Sequence, residues 1–253
     1  MSFITSPGVI VPPLTAGGVA YGTGGQAKVT SAGTAGTFLK STGAGVPVWD
    51  AAGGFSQAQV FTSSGTFTVP SSGKFKVTIV GGGGGGSYQN SPTDSGGSGG
   101  GAGTVIKWFT GATAGATATV TIGTGGLASS TSGNDGNTGG NSTFVLTGFS
   151  TLTASGGGGG LSAPNGSTGG TGGTATNGDL NVKGQHGGKP VLNTAFSAIV
   201  NTMAGSSLLG FGGTIFQQGV IESGTGYGGG GTGINSSGPP SGRGSNGVCI
   251  VEF

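Results

Sequence analysis

Apolar residues along this chain come in short runs, and the spacing inside the runs is that of strands. Phe75, Val77 and Ile79 alternate with Lys74, Lys76 and Thr78 ahead of Val80, the period-two pattern of a strand with one buried face. Similar runs predict strands over 60–62 and 66–69, joined by a hairpin turn at Ser63-Ser64-Gly65. Further strands are expected over 74–80, 104–110, 117–122, 142–146, 149–155 and 247–253. Only Pro190 to Met203 carries helical potential. Many short strands separated by turn formers predict a mainly β protein, with a β-sandwich (jelly-roll-like) domain from residue 55 onward.

The pattern changes at a hinge near Ala51–Phe55. In residues 17–54 the apolar clusters span only two to four positions, each bounded by turn residues, so very short strands are expected there. Such strands cannot build a core alone, and Tyr21, Phe38, Leu39, Val48 and Trp49 need a neighbour to bury against. Residues 1–16 place Phe3, Ile4, Val9, Ile10 and Val11 around Pro7, Pro12 and Pro13. The prolines forbid a helix interior and favour an extended segment suited to a groove or a sheet edge.

Between the strands lie glycine blocks at 81–86, 96–103, 156–160, 169–173, 224–233 and 238–247. They fit two readings. Without Cβ atoms, extended threefold helices rising about 3.1 Å per residue can pack side by side, as polyglycine II; alternatively the blocks are mobile surface loops. The scarcity of charged, solvating residues inside them favours packed helices. With 66 glycines in 253 residues, ordering the backbone costs unusually large entropy. Association with identical copies is therefore expected to supply part of the burial.

Charge narrows the function. Eight basic and six acidic residues leave a net charge of +2, too little for a nucleic-acid binder that works by neutralising phosphates. No apolar run is long enough for a transmembrane helix, and Met1-Ser2-Phe3-Ile4 lacks the basic start of a secretory signal. One cysteine, Cys249, and one histidine, His186, exclude an intrachain disulfide framework and a multi-histidine metal site. Gly123-Thr124-Gly125-Gly126-Leu127-Ala128 mimics a dinucleotide fingerprint, but turn residues rather than a helix follow it. Ser132–Asn137 has the look of one calcium β-roll repeat, an architecture that needs tandem copies. Asp50, Asp94, Asp135, Asp179, Glu222 and Glu252 stand singly, so no acid/base pair is indicated. Cys249 lies in an apolar strand and reads as a buried small hydrophobe. No catalytic site, metal or cofactor is expected, and the chain reads as a non-enzyme.

Taken in order, several pieces resemble a known family. These are Phe67-Thr68-Val69-Pro70, then Val77-Thr78-Ile79-Val80 running into Gly81–Gly86, then Gly99-Gly100-Gly101-Ala102-Gly103. Val120-Thr121-Ile122-Gly123-Thr124-Gly125-Gly126, Gly139-Gly140-Asn141-Ser142-Thr143-Phe144 and Leu152-Thr153-Ala154-Ser155 before Gly156–Gly160 follow. Residues 55–253 resemble the glycine-rich domain of bacteriophage tail-fibre and other virion fibre proteins, and residues 17–54 resemble neck or shaft repeats whose short strands are intertwined in trimers. Residues 161–246 match in composition only.

The resemblance implies a homotrimeric fibre or short spike on a phage tail or head. Residues 1–16 would attach to another virion protein, 17–54 would form a neck, and 55–253 would present glycine-rich loops to a host glycan or outer-membrane protein. Tyr21, Phe38, Leu39, Val48 and Trp49 would then form trimer interface. Rare side chains set among glycines are the receptor-contact candidates: Tyr88, Gln89, Asn90 and Asp94 in one loop, His186 in another, and Tyr227 and Arg243 nearer the C-terminus. Tyrosine and asparagine among small residues give rigid aromatic surface with adaptable hydrogen bonding; the competing role for Tyr88 and Tyr227 is to wedge or cap the glycine helices. Two other functions stay open: a purely structural virion part, and a polysaccharide-cleaving spike.

Overall fold

A computed structural model describes all residues except 1–15, 24–25, 36, 44–45, 52–54, 90–95, 163–166, 190, 194–197, 201–202, 215–220 and 235–240. Phe3, Ile4, Val9, Ile10, Val11, Asn90 and Asp94 therefore lie outside the described residues. The chain divides into two compact units, Met1–Gly54 and Phe55–Phe253.

The first unit holds two antiparallel hairpins: β1 (Ala20–Thr23) with β2 (Gln26–Val29), and β3 (Thr37–Lys40) with β4 (Val48–Ala51). Strand alternation separates the side chains of the second hairpin. Leu39 faces Trp49 across one surface, while Phe38, Lys40, Val48 and Asp50 share the other. Trp49 is used within its own chain: Nε1 donates to the Ser31 carbonyl at 2.8 Å. The indole also covers Gly33 so closely that a Cβ there would lie 2.7 Å from the ring. Phe38 and Val48 keep 45% of their surface open, and Tyr21, opposite Lys28 on β2, is half-buried.

In the second unit, alternating strands make a sandwich of two five-stranded sheets. They are drawn from β5 (Ala58–Phe61), β6 (Gly65–Thr68), β7 (Phe75–Val80), β8 (Thr104–Phe109), β9 (Thr117–Thr121), β10 (Ser142–Leu146), β11 (Leu152–Ala154), β12 (Ala175–Thr176), β13 (Leu180–Val182) and, last, β18 (Val248–Glu252). One sheet has the order β12-β11-β10-β9-β6 and the other β13-β8-β7-β18-β5. Their inward residues meet in one core in which Phe67, Phe75, Phe109 and Phe144 contact one another, Phe75 stacking on Phe109 at 4.6 Å. Each such ring, fully buried, contributes about 1.5–3 kcal/mol.

Two expectations change. β5 and β6 do not form a hairpin: β5 pairs with β18 and β6 with β9, in opposite sheets. The Thr62–Ser64 link crosses the sandwich, so Phe61 and Phe67 enter the same core from its two sides. There is no helix among the described residues. Within 190–203 lie β14 (Val191–Asn193) and β15 (Ala198–Val200), paired antiparallel. A two-residue pair, β16 (Gly210–Phe211) with β17 (Thr225–Gly226), completes the strands.

Candidate functional site: the free end of a glycine-helix bundle

The glycine blocks continue the sandwich strands as a second, differently built layer. Along 81–87 the amide partner changes at every residue and returns at every third. Gly81, Gly84 and Ser87 donate to Gly103, Gly100 and Gly97; Gly82 and Gly85 donate to Gly140 and Asn137; Gly83 and Gly86 donate to Ser245 and Gly242, all at 2.9–3.2 Å. The carbonyls repeat the pattern. Those of Gly82 and Gly85 accept from Gly157 and Gly160, those of Gly83 and Gly86 from Gly126 and Ser129, and those of Gly84 and Ser87 from Gly231 and Ile234. A period of three with every bond lateral defines an extended threefold helix of the polyproline II type, here enclosed by six neighbouring tracts. Residues 96–103 are surrounded in the same way: Gly96, Gly99 and Ala102 donate to Ile234, Gly231 and Gly228, and Gly97, Gly100 and Gly103 to Leu161, Gly158 and Ser155.

This packing explains the glycine content. A Cβ placed on Gly82, Gly83, Gly84, Gly85 or Gly86 would collide with the carbonyl oxygens of Thr124, Gly229, Gly158, Leu127 and Thr232 respectively. Those oxygens take the second Cα hydrogen instead, as weak C–H···O hydrogen bonds of about 0.5–1 kcal/mol each. Residues 81–86 and 96–103 are therefore helices rather than loops, and tracts of the same chain supply the shelter around them.

The tracts give the unit two poles. Those leaving β7, β9, β11 and β13 run away from the sandwich, and those entering β8, β10, β12 and β18 return to it. The described tract ends at Tyr88, Asn134, Leu161, Thr168, Met203, Thr214 and Ile234 accordingly gather at one end. Bridges among the tract tips bear this out: Tyr88 bridges to Asn134 and Ile234, Leu161 to Thr168, and Met203 to Thr214. Ser162 ties three tips together, its hydroxyl donating to Gln89 Oε1 at 2.9 Å and its amide to Asp135 Oδ1 at 2.6 Å. At the opposite pole, Ser56 and Gln57 donate to the Phe253 carbonyl, so the chain enters this unit at the end remote from the tips.

The described receptor-contact candidates, Tyr88, Gln89, His186, Tyr227 and Arg243, do not form one patch. Gln89 is at the tips. Tyr88 is there too but only 8% exposed; it wedges the bundle end where the glycine pattern stops, and is not a free contact. Tyr227 sits at the base, against Val80, Ala102 and Val248. His186 and Arg243 are exposed on the flanks of outer tracts. Asn134, Asp135, Ser162 and Ile234 at the tips carry no sequence motif; the chain position of each tract end is the signal that could have found them.

Among the described residues no group of three His, Cys, Asp or Glu side chains could hold a metal ion. Burial pushes the Cys249 thiol up to about 12. The Thr214 amide, followed by its hydroxyl, holds Glu222 below the usual carboxylate range from 2.8 and 2.9 Å. The Trp108 amide, aided by Lys107, does the same for Asp179.

A sandwich extended by interlocked glycine helices is the architecture of residues 59–253, and these residues match the glycine-rich domain family. The chain belongs to that family. No curated protein matches it.

Proposed function

We propose that this chain is a structural fibre or short spike of a bacteriophage particle, homotrimeric, which adheres to the host surface through the free end of its glycine bundle. The observation that carries this reading is the polarity of the second unit. The described ends of its tracts gather at one pole, while its chain entry lies at the other. A bundle whose interior is backbone holds the tips of its tracts rigidly whatever residues fill the connections, a suitable platform for variable contacts.

The homotrimer has separate support. The outward face of one sheet is threonine-rich, with Thr66, Thr119, Thr121, Thr143 and Thr153. On the other sheet, Leu180, Ile106, Thr78, Ile250 and Val60 form a row across all five strands. Val60 is 54% and Leu180 49% exposed, with Trp108 at 50% in the next row. An apolar row on one sheet only fits a face covered by further copies, as do the open Phe38 and Val48 of the first unit.

The test is binding of the labelled full chain to a panel of bacterial strains, alongside a variant whose residues 90–95, 163–166 and 235–240 are replaced by Gly/Ser segments of equal length. Adhesion predicts that the natural chain marks some strains and the variant none, at a solution mass of three times 23.6 kDa. Equal binding by both chains would move the contact away from the tips. Binding by neither, with the trimer intact, would favour the purely structural part, for which a rigid backbone-bonded bundle is equally suited.

A further inference from the structure

On the flank of the bundle, two outer tracts present matching rows of side chains. In a threefold helix residues i, i+3 and i+6 project in one direction, about 9.3 Å apart. Along 183–189 this aligns Lys183, His186 and Lys189, and along 168–174 it aligns Thr168, Thr171 and Thr174; all six are exposed. The tracts are direct neighbours and antiparallel: Gly184 donates to the Gly173 carbonyl and Gly187 to that of Gly170, both at 2.9 Å. That register places Lys183 beside Thr174, His186 beside Thr171, and Lys189 beside Thr168. The result is three equivalent rungs, each with one nitrogen-bearing and one hydroxyl side chain.

A third rail adjoins them. Ser155, Gly158 and Leu161 donate to the carbonyls of Thr174, Thr171 and Thr168, so the middle rung ends on a glycine and the last on Leu161, which is 47% exposed. Thr174 Oγ1 also donates to Ser155 Oγ at 3.3 Å. The amides of Thr171 and His186 have no acceptor among the described residues. Among these residues Lys40, Lys76 and Lys107 each hold an ion pair, with Asp50, Glu252 and Asp179, whereas Lys183 and Lys189 hold none. In a chain so poor in charge, two unpaired cations on one line of a flat, rigid face are available to an external anion.

We propose that this face binds a linear acidic polysaccharide laid along the tracts. A rung spacing of about 9.3 Å is close to the span of two sugar rings, so a polymer with a carboxylate on its repeat meets a lysine at each outer rung. Threonine hydroxyls and the His186 imidazole then hydrogen-bond ring hydroxyls, and Leu161 offers an apolar contact. A nucleic acid fits less well, since duplex phosphates follow at about 3.4 Å per strand and the face supplies neither the cation density nor an exposed aromatic stack. This site runs along the flank, reaching a tip only at its last rung of Lys189, Thr168 and Leu161, and does not depend on which pole meets the host.

The test is titration of the full chain with polygalacturonate, neutral dextran and a thymidine oligonucleotide. Polygalacturonate is expected to bind and dextran not. The Lys183→Ala/Lys189→Ala double variant should bind about tenfold more weakly, while Lys28→Ala/Lys74→Ala, which removes the same charge elsewhere, should bind as the natural chain does. Across oligogalacturonates, affinity should rise with length and level off at about five rings, since three rungs span two spacings, about 18.6 Å. Absence of polygalacturonate binding, equal loss in both double variants, no plateau with length, or equally tight oligonucleotide binding would each overturn the proposal. Because the variants leave residues 90–95, 163–166 and 235–240 unchanged, this outcome is read separately from the cell-binding experiment.

Discussion

Gly84 shows what a single residue is asked to do here. Its amide and carbonyl are both bonded laterally, to Gly100 and from Gly231, and the Gly158 carbonyl stands where its side chain would be. Gly84→Ala should therefore cost about 3 kcal/mol, the upper range for overpacking a rigid interior, because the obstacle is backbone and cannot turn aside. Thr171→Ala, on the open flank, should stay within about 0.5 kcal/mol of the natural chain; denaturant unfolding of the two variants compares them. Cys249, fully enclosed between Ile79 and Phe61 on its neighbouring strands, should not react with thiol reagents at pH 8 until the protein unfolds, as a reagent titration with and without denaturant will show. Glu222 sets a pH response. Its folded pKa lies below the ordinary 4.5, so its ionised form adds stability that is fully present above that value and is lost as pH falls through the folded pKa. Glu222→Gln should lower the melting temperature at pH 7 and lower it less, or not at all, at pH 3.

At the scale of elements, two kinds of hydrogen-bonded layer meet end to end. In the sandwich each inner strand has two neighbours; in the bundle an inner tract has six. Hydrogen exchange should separate inner from outer helices. Amides of Gly82–Gly86 and Gly97–Gly101 should exchange only on global unfolding, while those of Thr171 and His186 exchange quickly; protection confined to the sandwich would contradict the bundle. Much of the sandwich was legible because its strands alternate: β7, β8, β9 and β10 all fall within the runs that the apolar pattern marks. Partnering was not legible. Phe61 and Phe67 show the same alternation whether β5 and β6 share a sheet or face each other, so the hairpin reading failed on topology and not on periodicity. The bundle left a weaker trace, the triplets Gly169-Gly170-Thr171 and Gly172-Gly173-Thr174, in which every third residue points outward. In the inner tracts no triplet can be seen, because all three directions are occupied and glycine is required at nearly every position.

For the whole molecule, the balance is between backbone entropy and lateral bonding. Ordering a glycine costs at least the usual 1–2 kcal/mol, or about that, per residue, and few side chains in the bundle can offset it by apolar burial. The bundle meets this cost with backbone hydrogen bonds and close backbone packing in every direction, and it is anchored on a phenylalanine-rich core that the sandwich supplies. By itself the sequence determined that the protein is β and that its strands bury one face against an aromatic core, since these depend on residue type and local period. It did not determine which tracts lie side by side, or that their tips converge and their outer faces align Lys183, His186 and Lys189 with Thr174, Thr171 and Thr168. Glycine carries no side chain to label its partner, so tract pairing is decided only when the sandwich strands fix where each tract begins and the lateral bonds of the whole lattice are satisfied together.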